Sequence, residues 1–157
     1  SQISDGAAAV LVTSEAFAKA NNLPVKARII SFGESALKPE IMGLGPVDAS
    51  KEALERAGLT MDDIDAVELN EAFAAQSLAV LKEFEKQGMK VDQSKVNVDG
   101  GAIAVGHPLG DSGARITGHV AEVLQRTGGR YGLATMCIGQ GQGVAMVVEN
   151  PNFTPKP

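Results

Sequence analysis

Three residues of this 157-residue chain carry side chains suited to proton transfer or attack on a carbonyl: Asn70, His107 and Cys137. Each follows a stretch that reads as a β-strand. Asn70 comes after Ala66-Val67-Glu68-Leu69, His107 after a run ending at Val105-Gly106, and Cys137 after the run 131–136. In an open parallel sheet the carboxyl ends of the strands share one edge, and ligands bind there. Distance along the chain is then no obstacle to the three side chains meeting within direct or one-water hydrogen-bond reach. Two of the three are followed by Gly-rich backbone, whose N–H groups could stabilise an oxyanion.

Taken alone, a thiol, an imidazole and an amide describe a thiol acyl-transfer or papain-like site, with Cys137 as nucleophile, His107 as base and Asn70 orienting the ring. Each residue also has a plainer use. A cysteine after a strand serves as a small packed hydrophobe, His107 before Pro108 as a loop residue, and Asn70 as a helix N-cap. Their common position at strand ends raises them above those uses. His119 lies inside a helix and reads as structural. Gly110-Asp111-Ser112-Gly113 echoes the loop of a serine protease nucleophile, but Asp111 and Ser112 sit where a helix N-cap is wanted. Gly139-x-Gly141-x-Gly143 is no dinucleotide fingerprint, because a strand rather than a helix follows it.

The elements that must position these residues alternate in type. Residues 7–12 form an apolar run that reads as a buried strand, and Ser14 caps a short helix stopped at Asn21-Asn22. Residues 27–32 read as a strand and 33–46 as a loop. Asp48 is placed as the N-cap of a helix ended by Gly58. After residues 66–69, Asn70 opens a helix closed by Gly88. Residues 96–98 begin a strand running into Gly100-Gly101-Ala102-Ile103-Ala104-Val105-Gly106. A helix with Ile116, Val120, Val123 and Leu124 on one side ends at Gly128-Gly129. Residues 131–136 and 143–148 close the pattern as a strand pair. The expectation is an α/β layered domain with a largely parallel sheet.

Composition bounds the function. The chain holds 44% hydrophobic and 21% charged residues, ordinary values for a globular protein. Its formal charge of −5 argues against nucleic acid, and no basic run suggests a membrane surface. No apolar stretch approaches the roughly 20 residues that cross a bilayer, and no signal peptide is visible. The single cysteine excludes an intrachain disulfide and suits a reducing compartment. A cytoplasmic domain is expected. Residues 7–12 lack the neighbours that a buried strand needs, and no initiator Met precedes them, so a fragment of a longer chain is expected too.

Three stretches together resemble the thiolase family. They are Asn70-Glu71-Ala72-Phe73-Ala74, the sixteen positions from Gly100 to Arg115 around Gly106-His107-Pro108, and Cys137-Ile138-Gly139-Gln140-Gly141. Asp5-Gly6-Ala7-Ala8-Ala9 and Met42-Gly43-Leu44-Gly45-Pro46 also fit, so the similarity runs over residues 1–149. The resemblance implies the α/β thiolase fold: a βαβαβαββ-type C-terminal half at 26–150, preceded by the last strand and helix of the N-terminal half at 1–25 and followed by a tail at 151–157. It also reassigns Cys137. The acylated cysteine of thiolases lies in the N-terminal half, so Cys137 takes the acid/base role, its thiol tuned toward neutrality by nearby donors.

By the same resemblance, His107 activates the absent nucleophile, Asn70 holds a water completing one oxyanion hole, and the Gly139 N–H contributes to a second. Glycine suits position 139 because a side chain would crowd the thioester. Met42 and Phe73 line the acyl and pantetheine pocket, and Ser1 contacts CoA. The implied reaction is acyl transfer between an enzyme cysteine and CoA or acetyl-CoA, by Claisen condensation or by thiolysis of 3-ketoacyl-CoA. It takes no metal and no redox cofactor, since the CoA thioesters are substrates. The implied partners are the N-terminal half and further copies in a homodimer or homotetramer, in fatty acid metabolism. A β-ketoacyl synthase is disfavoured because those enzymes carry histidine where Cys137 stands. A CoA-binding module without activity is the non-enzyme alternative.

Overall fold

A computed structural model describes residues 2–155. Four strands form one sheet in the order β1-β4-β3-β2: β1 Arg28–Ala36, β2 Ile64–Leu69, β3 Tyr131–Ile138 and β4 Gln142–Glu149. The helices are α1 Glu15–Ala20, α2 Gly45–Ala57, α3 Ala74–Lys86, α4 Ala102–Val105 and α5 Leu109–Thr127. Short 3-10 turns stand at Pro39–Leu44, Met61–Asp63 and Gln93–Lys95. Among the described residues no helix is long and apolar enough to cross a membrane.

The mixed α/β architecture agrees with expectation, but the sheet is not largely parallel. Only β2 and β3 run parallel; β1–β4 and β3–β4 are antiparallel. The cause is the tight turn after Cys137, which folds β4 straight back along β3 and leaves β1 to pair on its far side. The strand expected at 96–98 reduces to a single parallel bridge between Val67 and Val96. Asn97 has φ +47° and Gly100 φ +95°, backbone that no strand continues through. The apolar run beyond them turns into α4. Residues 7–12 form no strand, and Val10, Leu11 and Val12 are exposed. Without a neighbouring strand, their pattern has nothing to pair with.

Several end signals behave as their chemistry requires. The Ser14 hydroxyl accepts from the Phe17 N–H at the start of α1. Gly58 and Gly128 close α2 and α5 in the left-handed region. Two helix starts differ from the reading. Helix α2 begins at Gly45, so Asp48 lies in its first turn rather than at its cap. Helix α3 begins at Ala74, which leaves residues 70–73 as a connector.

The sheet carries apolar layers on both faces. Val47, Ala53 and Leu54 of α2 and Val80 and Phe84 of α3 pack with Val67, Leu69, Leu133 and Val147 on one face. Ile116, Val120, Val123 and Leu124 of α5 pack with Ala66, Ala134 and Val148 on the other. Burying each of the larger of these side chains stabilises the fold by about 1.5–3 kcal/mol.

Helix α2 lies close enough to the sheet to demand glycine at its contacts. A Cβ on Gly33 would run into the Ala49 carbonyl and the Ala53 N–H, and Gly45 and Gly143 meet backbone to backbone. Gly110, in the first turn of α5, meets nothing within 4 Å. Gly33→Ala should therefore destabilise the fold by about 1–3 kcal/mol through overpacking. Gly110→Ala should stabilise it by up to about 1 kcal/mol. Denaturant unfolding of the two variants measures both, and the opposite signs are the test.

Candidate functional site

The carboxyl end of β2 is an open sheet edge, and Asn97 closes it. Its side chain accepts from the Leu69 N–H at 3.0 Å and donates to the Leu69 carbonyl at 2.9 Å, while its own N–H donates to the Val67 carbonyl. One side chain so imitates a strand neighbour and binds the 97–106 loop to the residue before Asn70. Asn tolerates the left-handed backbone this needs.

Glu71 makes a second tie. Its carboxylate accepts the Ile103 N–H at 3.0 Å, in the first turn of α4. A Cβ on Gly101 would collide with that carboxylate and come within 2.7 Å of Asn97 Nδ2, so glycine stands there for space. A third tie holds Asp99 to α5, through Arg126 at 2.6 Å and His119 Nε2 at 3.0 Å. The other nitrogen of His119 meets Glu68 at 2.8 Å. Burial pushes the Glu68 carboxyl above the usual carboxylate range, against the pull of His119 and Arg115.

These ties deliver His107 to Asn70. The Asn70 amide nitrogen lies 3.3 Å from His107 Nε2 and 3.5 Å from Nδ1, and both residues are buried. Nδ1 also stands 2.6 Å from the Ser112 hydroxyl. Burial lowers the affinity of the imidazole for a proton, and the nearby positive charge of Arg115 lowers it further. Both influences favour the neutral imidazole. Asn70 Oδ1 is buried and meets no donor among the described residues.

Cys137 stands at the same edge. The Asn70 N–H donates to the Thr135 carbonyl at 3.0 Å, two residues before the cysteine. The faces differ, however. Leu133 packs in the α2–α3 layer and Ala134 in the α5 layer, so strand alternation turns Cys137 toward α2 and α3. By the same count from Leu69 and Glu68, Asn70 turns to the α5 side, where it meets His107 just ahead of α5. Among the described residues Cys137 makes no hydrogen bond to either. The three residues share an edge but straddle it.

The thiol of Cys137 is not tuned toward neutrality in this chain. Burial pushes it above the ordinary cysteine value, and its one opposing influence, a backbone hydrogen bond, is weaker. Gly139 is exposed in the turn between β3 and β4, with open space around it and an ordinary φ. Nothing in the chain demands glycine there. Gly141, two residues on, packs against the Leu37 carbonyl and fixes the turn. Met42 is half-buried in the Pro39–Leu44 turn, which Gln76 of α3 holds by donating to the Gly43 carbonyl at 3.2 Å. Phe73, half exposed, stands at the start of α3. Ser1 lies outside the described residues.

Ser112 is the functional neighbour that reading the sequence missed. Its position in the sequence suits a helix cap, whereas α5 begins at Leu109 and places it inside the first turn. Its spacing of five from His107 across a proline was the available signal. Because Cys137 is the only thiol, alkylation titrates it alone. Its reaction with iodoacetamide should be slower than that of a free thiol at pH 7.5. The rate should rise with pH to a midpoint above the ordinary value of about 8.5. A midpoint below that value would show a donor that outweighs burial.

Known proteins share this sequence pattern and fold. The sequence profile described as "Thiolase, C-terminal domain" matches residues 23–150. A 3-ketoacyl-CoA thiolase of Pseudoalteromonas translucida is 56% identical over 149 residues, 95% of this chain and 38% of that protein. The crystal structure of human mitochondrial 3-ketoacyl-CoA thiolase in complex with CoA superposes with a TM-score of 0.80 at 48% identity, covering 87% of this chain and 33% of that one. The Bacillus anthracis acetyl-CoA acetyltransferase superposes with a TM-score of 0.82 at 43% identity, covering 87% of this chain and 34% of that one. The chain thus spans little more than a third of the curated relative it matches, and over that span it belongs to the thiolase family.

Proposed function

We propose that this chain is the C-terminal catalytic portion of a thiolase. It would act with an N-terminal half that supplies the nucleophilic cysteine, and transfer acyl groups between that cysteine and coenzyme A or acetyl-CoA. Residues 1–25 would complete the N-terminal domain, 26–150 form the C-terminal domain and 151–157 a tail. The observation that carries the reading is the buried contact of Asn70 with His107 at the edge that also holds Cys137.

In the cleavage direction His107 takes the proton of the absent cysteine, whose sulfur attacks the 3-keto carbon of a 3-ketoacyl-CoA. The C2–C3 bond breaks, its electron pair passes to the acetyl-CoA enolate, and the Cys137 S–H protonates C2. A thiol held protonated by burial suits that acid role. The resulting Cys137 thiolate then takes the proton of incoming CoA, whose sulfur takes the acyl group, and the departing cysteine sulfur recovers its proton from His107. Condensation runs the same steps backwards, with the Cys137 thiolate removing the α-proton of acetyl-CoA.

Asn70 Oδ1 lacks a donor. A water donating one hydrogen to it would aim the other at the oxyanion. The unexplained glycine at 139 suits close approach of a thioester to a backbone N–H. Met42 and Phe73 would line the acyl and pantetheine pocket, and Ser1 would contact CoA. The complex of human mitochondrial 3-ketoacyl-CoA thiolase with CoA supports that ligand class. The chemistry takes no metal or redox cofactor. The assembled protein would be a cytoplasmic homodimer or homotetramer.

Two measurements test the proposal. The chain alone should not cleave acetoacetyl-CoA, and mixing it with the separately expressed N-terminal half should restore cleavage. Turnover by the chain alone would make Cys137 the nucleophile. In the protein carrying both halves, Cys137→Ala should still acquire an acyl group, seen by mass spectrometry, while thiolysis falls by about 100-fold or more, as expected for loss of an acid/base group. His107→Ala should impair acylation itself.

A further inference from the structure

Helix formation does not account for Ser112. The Pro108 carbonyl already receives the N–H groups of Asp111 at 2.9 Å and Ser112 at 3.1 Å, so the first turn of α5 closes without the hydroxyl. The residue is wholly buried, where an apolar helix former would serve the fold equally and a hydroxyl needs partners. Its partners are His107 Nδ1 at 2.6 Å and the Pro108 carbonyl at 3.2 Å.

We propose that Ser112 is the positioning residue that holds His107 in the Nδ1–H tautomer and leaves the Nε2 lone pair free to accept a proton. This rests on reading His107 as the base of a thiolase. The Asn70 amide nitrogen lies nearly equidistant from the two ring nitrogens and favours neither tautomer. The Ser112 hydroxyl has one hydrogen and gives it to the Pro108 carbonyl, so its oxygen accepts from Nδ1, and the neutral ring carries its hydrogen there. Moving the ring hydrogen to Nε2 would leave it without an acceptor among the described residues, inside a buried site.

The arrangement has a chemical consequence. Nε2 is free to take a thiol proton, and the Nδ1–H bond to Ser112 stays in place when the ring becomes charged. Ser112 so performs the orienting task that a carboxylate performs in other histidine-centred sites. Being neutral, it does so without pulling the imidazole toward its charged form.

The chain has only two histidines, so imidazole 15N NMR of the histidine-labelled protein yields two rings, with His107 assigned by its loss in His107→Asn. At neutral pH His107 should show a hydrogen-bearing Nδ1 and a bare Nε2. A hydrogen on Nε2 in the wild type overturns the proposal without any variant. Ser112→Ala should mix the two tautomers, and Ser112→Thr should restore one. In the protein carrying both halves, Ser112→Ala should slow acylation about 10- to 100-fold, the range seen for partners that hold metal-ligating histidines. KM should change little, and Ser112→Thr should recover most of the rate. A folded Ser112→Ala protein with the wild-type tautomer and acylation rate would show that Ser112 only fills space, and the proposal would fall. A changed tautomer with unchanged acylation would keep the Ser112 assignment and remove His107 from the reaction, so the two readings fail separately.

Discussion

The site depends on how the free end of β2 is closed. A strand at the edge of a sheet leaves N–H and C=O groups without partners, and leaving them buried and unmet is costly. Here a single amide, Asn97, satisfies both groups of Leu69. The bond that completes the sheet is therefore also the bond that brings the His107 loop to Asn70. Glu71 and Gly101 depend on the same closure: the carboxylate reaches α4 only because position 101 has no side chain. A motif that reads as chemistry at Asn70 continues as structure at Glu71, one residue later.

Charge follows the same division between edge and interior. Burial weakens the affinity of His107 for a proton and strengthens that of Cys137, so at neutral pH both are uncharged. An uncharged base and an uncharged acid are the states in which a proton can move toward one and away from the other. Paired ionic groups hold the loop from its other end, where Asp99 bridges Arg126 and His119.

Much of the fold was legible in the residues, and what was missed has physical causes. Turn and cap chemistry is local, so Ser14, Gly58 and Gly128 behaved as read. The closing strand pair was also found, because it is bounded by its own tight turn. Strand direction is not local: the pattern of β1 is the same whether it pairs parallel or antiparallel with β4. Residues 102–105 are apolar in every position and fit strand or helix equally. The left-handed Gly100 and the carboxylate of Glu71, distant in sequence, decide for helix. Asn70, His107 and Cys137 could be singled out because thiol, imidazole and amide are chemically distinctive. Ser112 could not, since its role exists only through a 2.6 Å contact that the α5 turn creates.

Glycines separate what the chain needs for itself from what it holds open. Gly33, Gly45, Gly101, Gly141 and Gly143 are each pressed by other parts of the same chain, so glycine there serves the fold. Gly139 and Gly110 have open space where a Cβ would stand and no left-handed backbone to require it. Both lie beside chemistry, one two residues after Cys137 and the other three residues after His107. A glycine in a helix interior or a strand turn costs stability when nothing in the fold uses its small size. At these two places the missing side chain leaves the backbone uncovered on either side of the edge that Asn70, His107 and Cys137 straddle.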